Sequence, residues 1–170
     1  MLKIIGVMFV LFGSVGIGWS IIRRMNARVA ALRSLAAALD ALECELDFSL
    51  PSLEMWLQSV SDRVTEPAAS FFRTCVNRMK ARESLTLSEV WKETAEKELS
   101  VLKPDDVETL MLVGSVLGRY DAESQKKAIS TARIRLEAQT KQASEEFGKC
   151  GKVYGTLSAA VGIFLVIVLV

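Results

Sequence analysis

The chain reads as an all-α protein, a bundle of about six helices whose long first and last members continue into membrane-spanning ends. Three observations predict this. No stretch alternates apolar and polar residues with β-branched enrichment, whereas apolar residues recur at spacings of three and four through the middle of the chain. Residues 4–22 and 153–170, runs of 19 and 18, carry no charged side chain. About 20 such residues, rising 1.5 Å each, cross a hydrocarbon core roughly 30 Å thick. Between these runs, Pro51, Pro67, Thr86, Pro104, Gly118 and Asp121 punctuate a charged segment, residues 23–152, into helix-length pieces.

The elements follow in order. Residues 23–48 contain no Gly or Pro, and Val29, Leu32, Leu35, Leu39, Leu42 and Leu46 form one apolar face. This predicts a helix running straight out of the first span. Pro51 suits the first turn of a second helix, with Leu53, Trp56, Leu57 and Val60 facing inward. Pro67 opens a third, with Ala68, Phe71, Phe72, Cys75, Val76 and Met79 inward. Thr86-Leu87-Ser88-Glu89 matches the capping box, in which hydroxyl and carboxylate satisfy free N–H groups reciprocally. A fourth helix follows, with Val90, Trp91, Thr94, Ala95 and Leu99 on its face. Pro104-Asp105-Asp106 opens the fifth, Pro pre-setting φ and the two acids lying at the positive helix end. Its face is Val107, Leu110, Met111, Val113, Gly114 and Leu117. Gly118 supplies the left-handed stop, and Asp121 caps a last helix that runs through Ile129, Ala132, Leu136, Ala143 and Phe147 into the second span. The first and last helices are expected to pair antiparallel as a stalk, with the four shorter helices as the body.

Composition narrows the chemistry. Histidine is absent, which removes His-based acid–base catalysis and His metal ligation. Cys44, Cys75 and Cys150 are widely separated and odd in number, so they read as reduced thiols rather than a disulfide framework or metal site. No P-loop, G-x-G-x-x-G or nucleophile elbow occurs. Glu43, Glu45 and Asp47 are two apart and do not share a helix face, so they read as solvated surface. Trp56, Phe71, Phe72 and Trp91 fall at core spacings. A net charge of +1 provides no strong basic field for nucleic acid. No catalytic residue, cofactor or metal site is expected, and the chain reads as a non-enzyme.

The flanks of the two spans set an orientation. Arg23, Arg24, Arg28 and Arg33 follow the first before any acid appears, and Arg133, Arg135, Lys141, Lys149 and Lys152 precede the second. Bases near a span mark the cytoplasmic side, so the central domain is expected in the cytoplasm with both termini outside. Ser14 and Gly18, Gly151 and Gly155, and Gly155 and Ala159 lie four apart, a spacing that lets helices approach closely in lipid. These are candidate packing positions between the spans or with partner subunits. At the turn before the last helix, Arg119, Asp121 and Gln125 form the candidate partner surface, with a local cap and flanking charge as the simpler explanation.

The residues resemble the stage III sporulation protein AB family of endospore-forming bacteria over essentially the whole length. The likeness rests on Met1-Leu2-Lys3-Ile4-Ile5-Gly6, on residues 32–39 leading to Leu42-Glu43-Cys44-Glu45-Leu46, on Trp91 with its acidic sequel, on residues 117–121 with Gln125, and on Tyr154-Gly155 before the aliphatic tail. One stretch departs from the family pattern. Where an aromatic-Gly-x-Thr-Pro-Leu sequence is usual, the chain has Phe48-Ser49-Leu50-Pro51-Ser52-Leu53. The resemblance implies a domain similar to the helical domains of inner-membrane platform proteins in type II secretion and type IV pilus systems. It also implies membership of a complex built between mother cell and forespore during engulfment. Its location would be the outer forespore membrane, with the domain on the mother-cell side. The implied partners are a secretion-type ATPase, stage III sporulation protein AA, together with other membrane subunits and the lipid bilayer. The expected function is therefore a non-enzymatic membrane platform subunit that docks the ATPase. The alternative is a membrane-anchored helical sensor or regulatory scaffold.

Overall fold

The computed structural model describes the backbone of residues 2–46, 52–81, 85–118 and 121–169, and the side chains of residues 19–46, 52–81, 85–118 and 121–150. Among the described residues there are six helices: α1 (Leu2–Leu46), α2 (Leu53–Arg63), α3 (Ala68–Lys80), α4 (Leu87–Glu98), α5 (Pro104–Val116) and α6 (Ala122–Leu169). No strand occurs among the described residues, so the all-α class holds. At 1.5 Å per residue, the outer helices are each about 70 Å long.

α1 and α6 make the most extensive helix–helix contact in the molecule. Arg28 reaches Glu146, Arg33 reaches Ser144, and Arg133 reaches back to Glu43. Positions ascending on α1 meet positions descending on α6, so the pair is antiparallel. Of the four shorter helices, α2 and α3 lie on α1 and α5 lies on α6, while α4 packs between α3 and α5.

The apolar faces expected from spacing converge on one core. Leu32, Leu35, Leu39 and Leu42 of α1, Leu57 and Val60 of α2, and Leu110 and Val113 of α5 are fully buried, as are Ile129, Ala132 and Leu136 of α6. Fully burying such an aliphatic side chain contributes about 1.5–3 kcal/mol, so the core outweighs any intrinsic helix preference. Phe71, Phe72 and Trp91 form an edge-to-face trio, with ring centroids 4.9–5.5 Å apart. The Trp91 indole N–H donates to the carbonyl of Leu110 at 3.1 Å. α5 comes so close to this ring that a Cβ on Gly114 would lie 2.6 Å from Trp91 Cδ1. Gly114 is thus a packing glycine rather than simply part of an apolar face.

The local signals hold at most boundaries. The Thr86 hydroxyl accepts from the Glu89 amide and Glu89 accepts from the Thr86 amide, completing the capping box. Pro104 is the first residue of α5, and Gly118 has φ +75°. Any side chain at Gly118 would be strained, and a Cβ there would also lie 3.2 Å from Leu53 Cδ2. α2 begins later than Pro51 suggests: Ser52 is its extended N-cap and Leu53 its first residue. Pro67 is the cap of α3 rather than a residue of its first turn.

Among the described residues no helix is long and apolar enough to cross a membrane. The expected spans lie outside them in side-chain terms, except Trp19–Ile22 at the inner edge of the first. The packing positions Ser14, Gly18, Gly151, Gly155 and Ala159 likewise lie outside the described side chains.

Candidate functional site

The turn before α6 is built around its cap. Asp121 is exposed, and its carboxylate accepts from the Ser124 amide at 3.0 Å and the Ser124 hydroxyl at 2.9 Å. These bonds hold its pKa below the ordinary aspartate value. The Gln125 amide donates to the Asp121 carbonyl at 3.0 Å, the first backbone bond of the helix. Asp121 and Gln125 therefore stand together at the tip of the domain, beside Gly118 and Leu53. Arg119, the third member of the set, lies outside the described residues.

A second constellation, not anticipated from the sequence, lies at the other end of the body, a turn and a half beyond the first charge-free run. Arg28 of α1 is buried and donates from Nε to Asp106 Oδ2 at 2.8 Å and from Nη2 to Asp106 Oδ1 at 3.0 Å. Asp106 is fully buried and also accepts from the Lys103 amide at 2.9 Å, so one carboxylate caps α5 and binds it to α1. Arg28 Nη1 reaches Glu146 of α6 at 3.4 Å, and Lys103 Nζ reaches the same carboxylate at 3.0 Å. Four charges thus close a lock across α1, α5 and α6. The hydrogen bond to Asp106 raises the Arg28 pKa against the opposing effect of burial. The bond from Lys103 lowers that of Glu146.

Packing thus separates Arg28 from the other bases that follow the first charge-free run. Arg28 is an internal structural charge rather than a free flanking base. Arg133 is also engaged, with Glu43 at 3.1 Å and Glu137 at 2.9 Å. Glu43 and Glu45 are not solvated surface either. Glu43 binds α6 through Arg133, while Glu45 turns to α2, where it accepts from the Ser59 hydroxyl at 2.7 Å and pairs with Arg63 at 3.0 Å. Their divergence agrees with the expectation that residues two apart do not share a face. Asp47 lies outside the described residues.

Nothing in the local sequence around Arg28 distinguishes it from Arg23, Arg24 or Arg33. The one usable signal was its helical phase: it adjoins Val29 and lies four before Leu32, on the inward face. The thiols of Cys44, Cys75 and Cys150 are free, and burial pushes that of Cys75 up to about 12. No group of His, Cys, Asp and Glu among the described residues could hold a metal ion.

Comparison with known proteins agrees with this fold. The curated stage III sporulation protein AB of Bacillus subtilis (strain 168) is 26% identical over 171 residues, spanning 99% of each chain. A solved structure of a stage III sporulation protein AB superposes with a TM-score of 0.63 at 27% identity, covering 72% of this chain and 97% of the other. The family model for stage III sporulation protein AB matches residues 3–170. By that near-complete match the chain belongs to the stage III sporulation protein AB family.

Proposed function

We propose that the protein is a non-enzymatic membrane platform subunit, held in the bilayer by residues 4–22 and 153–170, with its helical domain in the cytoplasm. The carrying observation is the antiparallel α1–α6 stalk. Two long helices run together toward the charge-free runs, ion-paired to each other through Arg28–Glu146 and Arg133–Glu43, and in this reading they are the strut between membrane and domain. The proposed location in a sporulating cell is the outer forespore membrane, with the domain on the mother-cell side and within a complex of several membrane subunits. A secretion-type ATPase, stage III sporulation protein AA, is the proposed cytoplasmic partner. The proposed contact is the domain tip, with Arg119, Asp121 and Gln125.

Support comes from the family, from the basic residues beside both charge-free runs, and from the position of Asp121 and Gln125 at the end of the domain remote from those runs. The test is co-purification of the detergent-solubilised full-length protein with the ATPase, with and without nucleotide. Stoichiometric binding that changes with nucleotide and is lost in Arg119→Glu is expected. Binding unchanged by Arg119→Glu would remove the tip as the contact. No binding at all, with the domain shown to be cytoplasmic by protease accessibility, would leave a scaffold for the membrane subunits alone.

A further inference from the structure

The ends of α1 and α6 that adjoin the charge-free runs carry bases that no acid neutralises among the described residues. Arg23 and Arg24 are exposed, as is Lys149 on α6, and none of the three forms an ion pair among the described residues. The register set by the Arg28–Glu146, Arg33–Ser144 and Arg133–Glu43 contacts places Lys149 within about one helical turn of both arginines along the stalk axis. The two acids best placed to balance them face elsewhere. Asp106 is closed inside the body by Arg28, and Glu146 is drawn to Lys103 and Arg28. Glu145 is the single exposed acid nearby on α6, one turn from Lys149 and on the side away from the charge-free run.

Immediately before Arg23 stands an apolar rim. Trp19 is 66% exposed and Ile21 40%, far more than the core aromatics. An outward indole at the level just before exposed bases on two helices matches the interfacial layer of a bilayer, where Trp sits at headgroup depth. A protein partner would be expected to present acids to such bases. A membrane surface presents phosphates there without any further chain.

Resting on the two-span reading, we infer that Arg23, Arg24 and Lys149, beneath Trp19, form a binding collar for the phosphate headgroups of anionic phospholipids in the cytoplasmic leaflet. The buried lock is what makes the collar possible, because it keeps Asp106 and Glu146 from neutralising these bases. Each base close to an anionic surface strengthens attraction by roughly fivefold, so the three together act well above a single contact.

The test uses the full chain in nanodiscs of phosphatidylcholine mixed with phosphatidylglycerol, with the lipids retained on the released protein counted by native mass spectrometry. Preferential retention of phosphatidylglycerol is expected. It should fall roughly tenfold or more in R23Q/R24Q/K149Q, rise in E145Q, and weaken as salt is raised. The control K127Q/K141Q, exposed bases farther along α6, should leave it unchanged. Equal retention in the triple variant and the parent would overturn the collar. So would inorganic phosphate displacing the retained lipid from parent and triple variant alike. Extraction of the membrane with alkaline carbonate separates the two layers of the argument. Release of the protein would overturn the spans and the collar together, whereas a protein that stays in the membrane without lipid preference would overturn the collar alone.

Discussion

Breaking the Arg28–Asp106 pair should destabilise the domain unequally from its two sides. The Asp106 side chain is fully buried, that of Arg28 is 10% exposed, and their two charge-assisted bonds are 2.8 and 3.0 Å long. Removing one partner of a buried pair costs about 3–5 kcal/mol, because the other charge is left without compensation. After Asp106→Leu, the guanidinium still has Glu146 at 3.4 Å and a partial path to solvent, so the cost should fall near 3 kcal/mol. After Arg28→Met, the fully buried carboxylate keeps only the Lys103 amide, so the cost should approach 5 kcal/mol. The double variant Arg28→Met/Asp106→Leu leaves no orphaned buried charge. Its main remaining loss is the cap on α5, about 1 kcal/mol. Urea unfolding of the full-length protein in detergent, followed by far-UV circular dichroism, measures all four forms. A double variant as unstable as the sum of the singles, or Asp106→Leu costing more than Arg28→Met, would refute the reasoning.

Three further outcomes are expected. Gly114→Ala should cost about 1–3 kcal/mol despite the better helix propensity of Ala, because its Cβ would overlap the fully buried Trp91 ring; a stabilised variant in the same urea assay would contradict the close approach. Cys75, buried and with its thiol pushed up to about 12, should resist a maleimide at neutral pH in the folded protein while exposed Cys44 reacts, and label only on unfolding, as peptide mass mapping would show. Glu146 has its pKa lowered by Lys103, so its stabilising contribution is present above the ordinary value of 4.5 and is lost as pH falls through the lower folded value. Glu146→Gln should therefore flatten part of the acid limb of the stability curve, and an unchanged limb would exclude the Lys103–Glu146 pair as a contributor.

The helices were legible because their causes are local. Leu32, Leu35, Leu39 and Leu42 carry the period of a helix face in the sequence itself, and all four are buried. Thr86 and Glu89 cap each other across three residues, and Gly118 marks its turn by what its lack of a Cβ permits. Where local signals compete, as with Pro51 against Ser52, the boundary moved by two residues, since either residue suits a helix start. The candidate tip was partly legible: the role of Asp121 as a cap follows from its place before Ala122, and its carboxylate is engaged with Ser124.

The sequence by itself determined the all-α class, the order of six helices, the inward faces and the absence of histidine chemistry, because each depends on residues within a turn or two of one another. Only the tertiary structure decided which charges are internal. Arg28 and Asp106 are 78 residues apart, and Arg133 and Glu43 are 90 apart. In sequence the four arginines that follow the first charge-free run differ only in helical phase, which sets Arg28 on the inward face without naming a partner. Packing of α6 against α1, and of α5 against α6, draws Arg28 into the lock, while Arg23 and Arg24 remain exposed. A charge has no period and no fixed partner along the chain: its environment is set by which helix lands beside it, and that is settled by burying the apolar faces.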